Sequence, residues 1–549
     1  MAKLQVGDRS VEIKENFVDR AVRYFAPVLA QRRLHARVQS AMFNAYAGGY
    51  AGASRSDRAL QGWPVATGSP DSDILTDLQL LRDRSAWLAR NAPIACGAIN
   101  TTVTNVVGSG LTLQSRIDRK ALKLTDEQAD AWEDQVEREF RLWSKHCDAN
   151  RTLTFGGLQE LAFRSTLERG DVFISLPYIE KPSVPYGLSL QLIEADRVCN
   201  PDSKPDRREL AGGIERDKYG APIAYHILDT HPGETYSLSA SARWVRVSAF
   251  GAVTGRRNVL HLFRVLRCGQ VRGVPFLAPV IKTLKQLDRY SEAEIMAAVV
   301  SGMFTVFVRS NADGQLGPFM PGSEGAGGSD EEVRLGNGAV VGLAPGEDIS
   351  LADPKRPNAN FDPFVLAMVR QIGLCLEIPY EVLVKHFTAS YSAARAALLE
   401  AWKFFLGRRR WCADYMCQPI YEAWLEEAVA NGRIEAPGYL SDPVIREAYC
   451  RAEWIGPAKG MINEKDEVQA AVSRLENHMS TLDAETAALT GGDWEANVRQ
   501  REKEQRILKA AGLATQMAEG KPTAPAAAPA EPEEGEPQER EVPDQEVEP

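Results

Sequence analysis

The sequence predicts an α+β, mainly helical fold, and three observations carry that expectation. Apolar residues recur at helical spacing through long stretches of the chain. Short β-like runs parted by Pro, Gly and Asp gather between Val172 and Val265. Two amphipathic helices bracket a turn-rich insertion at Phe304–Pro357. With 549 residues, 44% of them hydrophobic, the chain is long enough for two to four folded units.

In chain order, 16–43 reads as a helix, with Val18, Val22, Phe25, Leu29, Leu34 and Val38 set among arginines. The Gly/Ser/Ala-rich stretch 47–72 follows as a linker or extended arm. Helical periodicity resumes over 73–99 through Leu78, Leu81, Trp87 and Leu88. Asn91-Ala92-Pro93 breaks it, and a second helix is expected to start with Pro93 in its first turn. A strand is expected over 106–113. Thr125-Asp126-Glu127-Gln128 then resembles a capping box leading into a helix over 131–143. The β-like runs are 173–176, 188–193, 224–228 and 244–247, with Asp217-Lys218-Tyr219-Gly220 composed as a hairpin turn.

The helix expected over 279–301 sets Val280, Leu284, Leu287, Ile295 and Ala298 on one side. Lys282, Lys285, Gln286, Arg289 and Glu292 fall on the other. Its counterpart over 361–377 carries Phe364, Val365, Met368, Val369 and Ile372. A long helix is expected from about Tyr391 to Ala430, kinked at Pro419. Within it, Arg408-Arg409-Arg410 point about 100° apart and cannot form one stripe; ion pairs are their expected use. The segment 463–513 is helical and highly charged, and the Pro/Ala/Glu tail after Gly520 cannot build a core.

Charge and motifs exclude several functions. The formal net charge is −10, but residues 521–549 hold nine carboxylates against Lys521 and Arg540. That tail accounts for −7, leaving −3 on the body, which is unlike a tight basic nucleic-acid binder. Eight Cys without repeated CxxC spacing read as reduced, mostly buried thiols. The first residues lack the apolar core of a secretory signal. The longest apolar run, 295–308, is interrupted by Ser301 and Gly302 and falls short of the roughly 20 residues that span a bilayer. A protein that is soluble and intracellular when made is expected. Val107-Gly108-Ser109-Gly110 has no P-loop Lys, no GxSxG or HExxH occurs, and His146-Cys147 is a poor metal pair. No catalysis, metal or cofactor is expected.

Four blocks in order resemble the lambda-type family of phage portal proteins. They are RSAWLARNAPIACGAINTTVTNVVGS at 84–109, GQVRGVPFLAPVIKTLKQLDRYSEAE at 269–294, IGLCLEIPYEVLVKHFTASYSAARAALLE at 372–400, and the region 454–504. The resemblance runs over roughly 16–513 and implies a portal fold of wing, stem, clip and crown, assembled as a dodecameric ring with a central channel. On that template 1–72 is a basic helix and arm, 73–274 the wing, 275–303 the first stem helix and 304–360 the clip. Residues 361–378 form the second stem helix, 379–392 the tunnel loop and 393–456 a long kinked helix returning to the wing. The crown is 457–520 and the acidic tail 521–549.

The resemblance implies that Lys385, His386, Phe387 and Thr388 face double-stranded DNA in the tunnel loop. It implies that Val280, Leu284, Leu287, Phe364, Met368 and Ile372 pack the stem. Beyond other copies of itself and DNA held non-specifically, the implied partners are the terminase large subunit, major capsid or scaffold protein, and head–tail connector proteins, with no membrane. Placement at the capsid vertex of the virion follows, with assembly in the host cytoplasm. The residues depart from the family at Lys385-His386-Phe387, where an acidic residue is expected, and at Asn463-Glu464-Lys465 in place of Asp-Pro-Lys. By residues alone, 384–390 is equally an ordinary helix connection with Phe387 tucked into the core. The basic arm with Arg20, Arg23, Arg32, Arg33 and Arg37 is a solvated face or a contact with a neighbour or capsid protein. Two other classes remain open: a different head–tail structural protein, which would lack helix–insertion–helix, and a monomeric hydrolase, which would show an active-site pocket and no ring.

Overall fold

The computed structural model describes residues 2–6, 9–13, 31, 35, 67–182, 184–234, 243–302, 306–310, 347–351, 360–387 and 390–513. The chain divides into two compact units, Met1–Ser69 and Pro70–Pro549. In the first, β1 (Ala2–Val6) pairs antiparallel with β2 (Arg9–Ile13), Ala2 facing Ile13. The helix expected over 16–43 lies outside the described residues apart from Gln31 and His35, both helical, and the arm at 47–72 is described only from 67 onward.

The second unit begins with α1 (Pro70–Asn91), whose first turn carries Asp71 and Asp73 against the positive end of the helix dipole. It stops where expected. Ala92 is extended (φ −101°, ψ 115°), as a residue before proline prefers, and α2 (Pro93–Val106) starts with its proline in the first turn. The strand expected over 106–113 shrinks to β3 (Thr112–Ser115): Val106 is still helical, and Gly108 and Gly110 turn the chain at φ 57° and 116°. A short α3 (Arg119–Leu122) precedes α4 (Asp126–Ser144), where both halves of the capping box form. Gln128 N–H donates to Thr125 Oγ1 at 3.3 Å and Thr125 N–H to Gln128 Oε1 at 3.0 Å. Next is α5 (Phe155–Arg169), capped by Thr154 and ended by Gly170 at φ 93°.

Two antiparallel sheets follow. β4 (Asp171–Ser175) lies between β5 (Gln191–Glu194) and the later β10 (Val259–Phe263). β6 (Leu210–Ala211), β7 (Ile214–Arg216), β8 (Pro222–Leu228) and β9 (Trp244–Ser248) form the second sheet in that order. The Asp217 carboxylate accepts from the N–H groups of Tyr219 and Ala221, which makes the expected turn between β7 and β8.

After a 3-10 turn at Ala278–Val280 comes α6 (Ile281–Gly302). β11 (Val306–Ser310) pairs antiparallel with β12 (Glu347–Leu351), and α7 (Phe361–Cys375) returns. The glycine-rich stretch 314–329 lies outside the described residues. Then come α8 (Tyr380–Val384), α9 (Tyr391–Cys412) and α10 (Gln418–Ala430). The kink expected at Pro419 is a π turn, Ala413–Cys417. Proline has no N–H to donate and clashes with the carbonyl four residues back, so the ladder widens in the preceding turn. The long helix ends at Ala430; α11 (Pro443–Cys450) and β13 (Ala452–Ile455) complete this part, with β13 pairing to β3 from the far end of the chain. The charged segment folds as α12 (Glu464–Glu476), α13 (Leu482–Thr490) and α14 (Trp494–Ala510).

The main core is aromatic at its centre. Phe140 meets Trp424 edge-on at 5.0 Å and Phe155 at 5.6 Å, while the fully buried Trp143 donates to the Leu188 carbonyl. α12 to α14 attach to this body through Arg116, which bonds Asp483 at 2.8 Å and Glu495 at 3.1 Å.

Candidate functional site

The chain that leads into α6 passes through a buried polar knot. Its centre is Asp171, fully buried at the start of β4. Arg82 of α1 reaches its Oδ1 at 2.7 Å, Arg272 reaches Oδ2 at 2.6 Å, and His261 Nε2 lies 3.1 Å from Oδ2. Arg272 also donates to the carbonyls of Ala195, Val198 and Gly212 and lies over the Phe173 ring. Burial alone would raise the Asp171 carboxyl, but Arg272 and Arg82 outweigh it and hold it well below the carboxylate range. Burial pulls Arg82 down to about 10 and lowers His261, which as a neutral ring donates its Nε2–H. Gly170 and Gly273 cross here with no room for a Cβ: each would drive one into the other's carbonyl. None of these residues was singled out from the sequence. The signal that could have found them is the Gly–Gln–Val–Arg–Gly run at 269–273, a lone arginine between glycines before an apolar helix.

Of the residues implied to pack the stem, Val280, Leu284, Leu287 and Ile372 are buried within the chain itself, joined by Val369 and Leu376. Met368 is partly buried against them, whereas Phe364 is 46% exposed and meets Tyr290 edge-on at 4.9 Å. Farther along α6 the apolar side is uncovered: Ile295 is 63% and Met296 61% exposed.

Beyond α7, Glu377 adopts φ 58° and Ile378 N–H returns to the Gly373 carbonyl, which tightly ends the helix. The segment expected as a plain loop holds α8, closed by Lys385 in the left-handed region (φ 55°) with His386 N–H on the Glu381 carbonyl. Lys385, His386 and Phe387 are all exposed, and Phe387 is half exposed rather than tucked into the core. Thr388 lies outside the described residues. Lys385 and Phe387 line one side of a cleft of about 340 Å³, with Arg395, Trp402 and Lys459 across it.

The three consecutive arginines diverge as expected, and among the described residues of one copy only Arg410 makes an ion pair. Arg410 is exposed, 3.7 Å from Asp414. Arg408 is buried over Phe276 and Phe404, and burial lowers its guanidinium to about 10. Arg409 donates to the carbonyls of Asn105, Val106 and Pro457, serving as a cap for the end of α2. Within one copy, Arg408 thus meets rings and Arg409 carbonyls, because the last carbonyls of a helix have no partner inside it and take donors from elsewhere. Burial pushes the Cys147 thiol beside His146 up to about 12. Among the described residues no cluster of His, Cys, Asp or Glu could hold a metal ion, and no helix is long and apolar enough to cross a membrane.

The helix pair is thus buried in the chain's own core at one end and exposes large apolar side chains at the other. The family described as phage portal protein, lambda family, matches residues 56–409, and the chain belongs to that family. Three of the four sequence blocks lie inside that range. The chain is 27% identical to portal protein B of Escherichia phage lambda, over 85% of this chain and 91% of that one. It is 26% identical to the portal protein of Escherichia phage N15, over 85% and 92%. Among solved structures it is similar to a chain from the neck of a native GTA particle computed with C12 symmetry, with TM-score 0.40 and 12% identity, over 74% of this chain and 93% of that one. A chain from the virion of a native gene transfer agent particle gives TM-score 0.39 and 15% identity, over 70% and 94%. The chain is thus a structural portal protein of a tailed phage.

Proposed function

We propose that dodecameric rings of this chain stand at one capsid vertex and that double-stranded DNA enters and leaves through their channel. The observation that carries this reading is the uncovered apolar end of α6 and α7, at Ile295, Met296 and Phe364. Neighbouring copies would cover it, since soluble surfaces rarely leave several large apolar side chains contiguous without a partner. Lys385, His386, Phe387 and Thr388 would face the channel. Strong phosphate neutralisation there would add affinity with each contact and stall a moving duplex, which suits a body of nearly neutral charge. The segment 304–360 would be gripped on the outside by the terminase large subunit during packaging and by head–tail connector proteins afterwards. Capsid or scaffold protein would hold the rim. The chain would do no covalent chemistry; work driven by ATP would belong to the partner.

Negative-stain images of the purified chain should show rings with a central hole. Deleting 314–329 should leave those rings intact and change terminase docking. A monomeric native mass, or loss of rings in that deletion, would overturn the assignment.

A further inference from the structure

We propose that the groove between α1 and α6 is the docking site of this chain's own acidic, proline-rich C-terminal tail, residues 521–549. The groove encloses about 530 Å³ and has an apolar floor of Trp87 and Ile281. Its rim is Arg84, Lys282, Lys285 and Arg289, with no carboxylate among the lining residues. The Lys285 ammonium lies 4.3 Å from the Trp87 ring centre and bonds Asp288 at 2.8 Å. Arg84, Lys282 and Arg289 make no ion pair among the described residues and are exposed. Trp87 is 41% exposed, unusual for a tryptophan on the inner half of a helix pair.

Such a groove selects a ligand that is anionic and carries rings or small apolar groups on an extended backbone. The tail has that chemistry. Pro532, Pro537, Pro543, Pro549, Val542 and Val547 alternate with nine carboxylates. Proline-rich segments favour the polyproline II conformation, so they lose little freedom on docking against an aromatic floor, and arginines capture the interspersed acids. A duplex satisfies the charge but offers nothing for the indole floor, because its phosphates lie outermost. Glu531, the first carboxylate of the tail, lies eighteen residues beyond Leu513, a tether on the order of 56 Å at about 3.1 Å per residue. With the tail seated, its carboxylates would more than neutralise the groove's four cations, and any other polyanion would have to displace it.

Zero-length carbodiimide coupling of the full-length assembled chain, followed by peptide mapping, tests this directly. Lys285 will couple to Asp288 in any case, so Lys282 is the reporter. Its ammonium should join a carboxylate between Glu531 and Glu548. The yield should fall about tenfold as salt is raised to about 1 M, where screening reaches within contact range. Exchanging Arg84→Glu together with Arg289→Glu should cut the same product about tenfold. Both side chains are exposed and unpaired, so melting temperature and assembled mass should not move, which separates this proposal from the ring reading. If Lys282 couples only to carboxylates outside 521–549, or to none, or if the double exchange leaves the yield unchanged, the proposal fails.

Discussion

The two ends of the paired helices α6 and α7 differ in how they satisfy their side chains. In the buried interior of the base the strong groups are paired: Asp171 takes two guanidiniums and an imidazole, and Leu284 and Ile372 are at most 2% exposed. At the far end, Ile295 and Met296 have no such cover. The contrast teaches that one stretch of helix meets two environments: its first turns are buried in the subunit's own core, and Ile295 and Met296 on its later turns are left exposed. Substitutions along one helix should therefore split into fold effects and assembly effects according to position.

The largest expected effect is at Leu284. Leu284→Asp puts an unpaired charge in the core and should cost about 5 kcal/mol or more, so that soluble folded subunit is lost on chemical denaturation. Retained rings with an unchanged melting temperature would break the comparison. Next is Asp171→Asn, which leaves Arg82 and Arg272 facing each other without a counter-charge, at a cost of about 3–5 kcal/mol. Because the Asp171 carboxyl is held below its unfolded value, its contribution is complete above the unfolded pKa and vanishes only as pH falls through the lower folded one. The variant should therefore be less stable than the parent at neutral pH, with the gap closing in acid. Arg409→Ala removes donors from three carbonyls and should cost about 2 kcal/mol.

A smaller effect is expected at Glu133, where burial raises the carboxyl to about 7 beside the Arg116 attachment. The folded chain then holds this proton while the unfolded chain has released it, so between the unfolded value of 4.5 and about 7 stability rises as pH falls. Glu133→Gln should stabilise by about 1 kcal/mol at pH 8, discounted because the carboxyl is partly solvated, and by nothing near pH 4.5. The least effect on the subunit is the sharpest probe of the comparison. Ile295→Asp should move the subunit's stability by less than about 0.5 kcal/mol yet abolish rings, read by native mass. Rings that survive it would place the assembly surface elsewhere.

What was legible in the sequence was local. Pro93 ends α1, Thr125 and Gln128 cap α4, and Pro419 distorts the long helix, because each acts on backbone groups within four residues of itself. Helix–insertion–helix followed from periodicity alone. The knot did not, since Asp171 meets Arg82 across 89 positions and Arg272 across 101, and no period links such partners. The strand expected over 106–113 was mislaid because alternating apolar residues at the end of α2 are equally a helix end with glycines after it. Of the implied loop residues, Lys385, His386 and Phe387 are exposed rather than tucked into the core, and the short α8 ahead of them was hidden, one turn being too little to show a period.

The knot also says something about force. Arg272 lies nine residues ahead of α6, and its planar fork is fastened to β4, to the turn holding Ala195 and Val198, and to the turn at Gly212. Tension drawn along α6 would reach that fork before it reached any sheet hydrogen bond, and would spread into α1, β4 and the turn at Gly212 rather than peel one strand from its neighbour. α6 is thus mounted like a post in a braced socket: a pull on it would be shared among those elements rather than borne by one strand.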